Sequence, residues 1–120
     1  MFVDSDDYVE PNFCELPYCI AEDHEADLII FQYIIHRKGK ENKRRPFPLE
    51  GVTSKEDVLT QYWSFASSVA WNKLYKRELF YGITYPIGHL SEDGAVTHRL
   101  VYKANTIYLI NEYLYHYHLG

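Results

Sequence analysis

The stretch Asp4-Ser5-Asp6-Asp7 places three carboxylates within four residues, directly after the apolar pair Phe2-Val3. Repulsion among such charges must be relieved by open solvent or by a cation. Hard divalent ions such as Mg²⁺ and Mn²⁺ select oxygen ligands of this kind and often share them with substrate phosphates. A calcium loop is excluded, because Tyr8 and Val9 occupy the fifth and sixth places where that loop needs an acid and a glycine. Acids in a first helical turn stabilise the positive end of the dipole, a role that suits Glu92 and Asp93 in Ser-Glu-Asp-Gly. His116 and His118 lie two apart, so an extended strand points both to one side. Cys14, Cys19 and His24 do not converge on one ion, since five-residue steps on a helix turn each about 140° from the last.

These residues need elements to hold them. Phe2-Val3 reads as the end of a strand that runs into the acidic cluster. Pro11 suits a helix start, with Phe13, Leu16 and Ile20 at helical spacing, and Pro17 predicts a kink or a short, broken helix. Leu28 to Ile35 is a nearly continuous apolar run, which fits a strand covered on both faces. Ser54 caps a helix to about Phe65, with Asp57 three residues on. A Trp-Asn-Lys turn at Trp71 leads to a short helix, Lys76 to Phe80. Gly82, Pro86, Gly88 and Gly94 punctuate a loop region. Ser91 caps a second helix, Glu92 to Ala104, with Val96, Leu100, Val101 and Ala104 on its inner face. Thr106 to Ile110 and Tyr113 to His118 read as two strands. In the last, Tyr113, Tyr115 and Tyr117 share one face, and Leu114, His116 and His118 the other.

Composition bounds the rest. The 120 residues are enough for one unit spanning 1–120, and 47% apolar with 24% charged residues is globular rather than disordered. Twelve Lys and Arg against 17 Asp and Glu leave a net charge of −5, which argues against nucleic acid as a partner. The charge is segregated: residues 1–27 hold nine acids and no base, whereas 37–45 hold six bases and one acid. Gly39, Pro46 and Pro48 make 37–48 read as an exposed basic loop, suited to solubility or to peripheral contact with anionic membrane headgroups through 37–45. No run approaches the roughly 20 apolar residues of a membrane span, and no signal-peptide pattern follows Met1. The expected location is cytoplasmic, including the inner face of the membrane. Two cysteines make no disulfide framework, and 12 tyrosines suit half-wet clefts.

The stretch FVDSDDYVEPNF closely resembles the strand–DSDD–Tyr–x–x–Pro signature of glycosyltransferase family 2. The resemblance continues through AWNKLYKRELFYGITYP and LSEDGAVTHRLVYKANTIYLINEYLYHYH, in the order shown by family members of the bacterial surface-polysaccharide kind. The matching segments cover most of residues 2–118. A haloacid dehalogenase phosphatase fits less well, since its pattern wants Thr or Val where Tyr8 stands.

The resemblance implies a GT-A fold, a doubly wound, Rossmann-like α/β sheet that binds a nucleoside-diphosphate sugar and Mg²⁺ or Mn²⁺. It implies that Asp6 coordinates the metal and that Asp4 joins it or faces the sugar or ribose, with Asp7, His116 and His118 as further candidate ligands. Asp93 matches the catalytic base of an inverting transfer to a saccharide or lipid-linked acceptor, and Trp71, Asn72, Lys73 and Glu92 are candidates for donor or acceptor contact. UDP is the commonest nucleotide partner by this analogy. The family's acidic motif follows a complete nucleotide-binding half, whereas here it starts at residue 4. The chain therefore reads as a partial GT-A domain lacking that N-terminal half. An unpaired edge on Leu28–Ile35, self-association and little activity of the isolated chain are then expected, with a non-catalytic remnant as the alternative.

Overall fold

The computed structural model describes residues 1–66, 68–83 and 92–119, of which 92–95 are described by backbone alone. Two parallel strands form its spine, β2 (Leu28–Arg37) and β6 (Ile107–Leu119), paired from Leu28 opposite Ile107 to Arg37 opposite Leu119. Four short antiparallel strands flank them. β1 (Tyr8–Val9) and β4 (Gly51–Thr53) lie on the outer side of β6, while β3 (Lys40–Lys43) and β5 (Lys73–Tyr75) lie on the outer side of β2. The expected open edge on Leu28–Ile35 is thus corrected: antiparallel partners cover β2 where it does not face β6.

The apolar run in β2 is covered on both faces, as its composition requires. Leu28 and Ile30 pack with Val58 of α2 (Lys55–Thr60) and with Val96, Leu100, Val101 and Ala104 of α4 (Glu92–Lys103). Ile29, Phe31 and Tyr33 face the other way, towards Phe13, Trp71 and Tyr115, with Leu16 and Ile20 of α1 (Glu15–His24) against them. Each fully buried aliphatic or aromatic side chain here contributes about 1.5–3 kcal/mol. The result is an α/β layering in which α1 and α4 lie on opposite faces of the sheet.

Several local expectations are corrected. Phe2-Val3 forms no strand, and the strand pairing begins at Tyr8. α1 is unbroken, because Pro17 is its third residue and its missing N–H falls among the first-turn donors that have no helical partner anyway. The helix expected from Ser54 to Phe65 is divided into α2 and α3 (Trp63–Ala66). Ser54 does cap α2, its hydroxyl accepting the Asp57 N–H at 3.1 Å. At the other end Thr60 turns its hydroxyl back onto the Glu56 carbonyl at 2.7 Å, and the Asp57 carbonyl receives the N–H groups of both Gln61 and Tyr62, which closes the helix. The short helix after Lys76 is a 3₁₀ turn, Arg77–Phe80.

The basic segment is not a loop in its first part. Lys38 and Gly39 both have positive φ, 50° and 78°, the signature of a tight two-residue hairpin turn, and Lys40–Lys43 then pairs back on Ile34–Arg37. β3 is exposed along its length, so the lysines guard a sheet edge.

The two strands expected at the end of the chain are one, β6. From Leu109 to Tyr115 it uses six residue steps where β2 uses three, from Ile30 to Tyr33. Asn111 sits in the resulting irregularity, bonded through its side chain to Phe47 and through its N–H to Glu50. This breaks the expected alternation. Tyr113 pairs with Gln32 and Tyr115 with Tyr33, adjacent residues on β2, so those two tyrosines face opposite sides. Leu114, expected beside the histidines, packs with Phe13 and Tyr115 instead.

Candidate active site

The acidic cluster forms a turn closed by the Asp7 N–H donating to the Asp4 carbonyl at 3.1 Å. It is held by β6 from across the chain. The Tyr115 hydroxyl donates to Asp7 Oδ2 at 2.6 Å and accepts the Asp4 N–H at 3.0 Å, while the His118 N–H donates to Asp7 Oδ1 at 2.9 Å. Both Asp7 oxygens are therefore engaged, and its side chain is fully buried. Asp4 and Asp6 are exposed. The three acids divide into one that anchors the turn and two that are exposed.

Burial first, then the hydrogen bond to the Asp7 carboxylate, holds the Tyr115 hydroxyl well above its ordinary pKa, with the Asp4 N–H working weakly against them. The unfolded chain loses this proton near the ordinary value of about 10, while the folded chain keeps it to higher pH. The contribution to stability is complete below about pH 10 and is lost as pH rises further. Tyr115→Phe is expected to flatten this alkaline decline in urea midpoints. An unchanged slope would show that Tyr115 does not titrate this way.

Beside the turn lies a cluster that the sequence reading only half found. His116 Nε2 is 2.8 Å from Glu10 Oε2, and its Nδ1 is 2.8 Å from His36 Nε2. A carboxylate only accepts, so His116 Nε2–H donates to Glu10, while its Nδ1 and His36 Nε2 share one proton between them. Tyr8 stacks on His116 at 4.1 Å, and His36 stacks on His118 at 4.8 Å. The pair 116/118 does share one face, but both His116 nitrogens are taken up. Among the described residues no three His, Cys, Asp or Glu side chains converge as a metal-holding group. His36 escaped the sequence reading because the apolar run ends at Ile35. Extending the alternation from Ile34 by one step places it on the histidine face.

Trp71, Asn72 and Lys73 turn inward. Trp71 stacks on Tyr115 at 4.2 Å and meets Tyr33 edge-on at 4.5 Å. Asn72 Nδ2 donates to the carbonyls of Phe31 and Ala66 at 3.0 and 2.9 Å. Lys73 Nζ donates to the Ala66 and Val69 carbonyls and to Asn72 Oδ1, at 3.1, 2.6 and 2.7 Å. Asn72 and Lys73 have no exposed surface. The polar atoms of this segment, a candidate for donor or acceptor contact by the resemblance, secure the backbone beneath the site. The backbone of Glu92 and Asp93 opens α4, but their side chains, like Ser91, lie outside the described residues.

No protein-family model matches the chain. It is 32% identical over 125 aligned positions to glycosyltransferase GlyG of Streptococcus pneumoniae serotype 4, covering 96% of this chain and 42% of that protein. It is 27% identical over 128 positions to glycosyltransferase GlyA of the same organism, covering 98% of this chain and 18% of that one. The chain thus spans less than half the length of either relative. The crystal structure of S. aureus TarS 1–349 in complex with UDP superposes with a TM-score of 0.76 at 19% identity, over 100% of this chain and 35% of that one. The same protein in complex with UDP-GlcNAc gives 0.75. In sequence the chain is similar to a part of these bacterial glycosyltransferases, and it has the fold of a part of TarS.

Proposed function

We propose that this chain forms the metal and acceptor side of a nucleotide-sugar-dependent, inverting glycosyltransferase acting on a saccharide or lipid-linked acceptor. The observation that carries the reading is the division of labour in the acidic turn. Asp7 anchors it, whereas Asp6 and Asp4 are exposed residues whose carboxylates offer oxygen donors only. That set fits Mg²⁺ or Mn²⁺, which keeps most of its coordination positions for water and phosphate oxygens. When bound, such an ion neutralises the diphosphate that leaves. Asp6, with Asp4, would hold it, and Asp93 would accept the acceptor hydroxyl's proton as that oxygen attacks the anomeric carbon. The UDP and UDP-GlcNAc complexes of the TarS structures support a UDP-sugar as donor.

Calorimetric titration of the chain with UDP, with and without Mn²⁺, tests this. Binding is expected to require the metal and to disappear in Asp6→Asn. Equal binding by Asp6→Asn would overturn the role of the turn. No binding by a folded sample would assign the diphosphate site to other parts of the longer relatives. A second measurement addresses the base. Asp93→Asn is expected to slow acceptor-dependent UDP release by about 10²–10⁴-fold without weakening UDP binding. An unaltered rate removes Asp93 from the reaction.

A further inference from the structure

We infer that Tyr115 is a positioning residue for the acidic turn, and that its hydroxyl, rather than its ring, sets the placement of Asp6. The inference rests on the proposed diphosphate reading only for its consequence; the geometry stands by itself. Asp6 lies in the chain between Asp4 and Asp7, both of which the same hydroxyl holds. It accepts the Asp4 N–H at 3.0 Å and donates to Asp7 Oδ2 at 2.6 Å. An oxygen that both donates and accepts fixes the separation of its two partners, and here those partners bracket the exposed carboxylate. The internal bond from the Asp7 N–H to the Asp4 carbonyl at 3.1 Å closes the turn.

The hydroxyl is itself held. Tyr115 is fully buried on the spine strand, opposite Tyr33 on β2. Its ring is stacked on Trp71 at 4.2 Å with the planes 14° apart, and lies 6.1 Å from Phe13 on another side. A ring clamped in this way presents its oxygen at one place. The Trp-Asn-Lys segment thereby bears on the acidic turn without touching a ligand: Asn72 and Lys73 lock the backbone that carries Trp71, and Trp71 sets the ring of Tyr115. Tyr113, on the same strand, offers an internal comparison. Its hydroxyl donates to the Arg44 carbonyl at 2.6 Å, on a different segment from the acidic turn.

The test uses Tyr115→Phe, which keeps the ring and its stack, and Tyr113→Phe, which removes a hydroxyl from the same strand away from the turn. Two readouts are taken on the whole chain: amide hydrogen exchange at Asp4, and Mn²⁺-dependent UDP affinity. Tyr115→Phe is expected to speed exchange at Asp4 by about tenfold and to weaken UDP binding by about tenfold, the scale of one lost hydrogen bond to a charged group. Tyr113→Phe is expected to match the unaltered chain in both. Unchanged exchange at Asp4 in Tyr115→Phe overturns the inference. Faster exchange with undiminished UDP affinity also overturns it, since the hydroxyl would then serve stability alone. If the unaltered chain binds no UDP, the diphosphate reading fails by itself, and the exchange arm alone decides whether Tyr115 holds the turn.

Discussion

Replacing Trp71 by alanine is expected to destabilise the chain by about 3–5 kcal/mol, the usual cost of removing a buried aromatic. Trp71 is 4% exposed and joins three tyrosines, stacked on Tyr115, tilted on Tyr117 at 5.1 Å and edge-on to Tyr33. Such ring pairs add about 0.5–1.5 kcal/mol beyond the area they bury. Domains of this size are stable by only about 5–15 kcal/mol, so the variant should be folded marginally if at all. Urea unfolding followed by circular dichroism measures this. A loss below about 1 kcal/mol would mean that Trp71 is not part of the core in solution and would reopen its role in acceptor contact. Trp71→Phe, which keeps a ring, is expected to retain a larger share of the stability.

The second large effect separates two neighbouring acids. Asp7→Ala is expected to cost about 3 kcal/mol, because it leaves the Tyr115 hydroxyl and the His118 N–H without their acceptor, and each unsatisfied buried group costs about 1–3 kcal/mol. Asp6→Ala is expected to change stability by no more than about 0.5 kcal/mol, since its carboxylate is exposed. Equal denaturation midpoints for the two variants would contradict the division of the turn into an anchor and a presented pair. The contrast also guards the binding experiment: loss of UDP affinity in Asp6→Asn cannot be put down to unfolding if Asp6 is neutral to stability.

Much of the frame was legible because it rests on local rules. The continuous Ile-rich run fits a strand with both faces covered, and β2 is that strand. Ser54 with Asp57 three residues on marks a helix start, and the Ser54 hydroxyl does take the Asp57 N–H. The apolar positions of α4 at helical spacing are the ones that face the sheet. The acidic stretch, as a place where chemistry could reside, was visible from residue types alone.

What the sequence by itself determined is therefore where helices and strands form and which short segments carry charge. Only the tertiary structure decided which way individual polar groups turn. Asp4, Asp6 and Asp7 are equivalent on paper, and Asp7 becomes the anchor because a tyrosine and a backbone N–H more than a hundred positions away meet it. Lys73 reads as a surface charge, yet three oxygens gathered by the fold compensate its burial. Tyr113 and Tyr115 part company because β6 carries extra residues against β2, a register fixed by pairing between strands and by no rule within either. Periodicity and capping act over a few residues, whereas the burial of a polar group is settled by partners that only the folded chain brings within 3 Å.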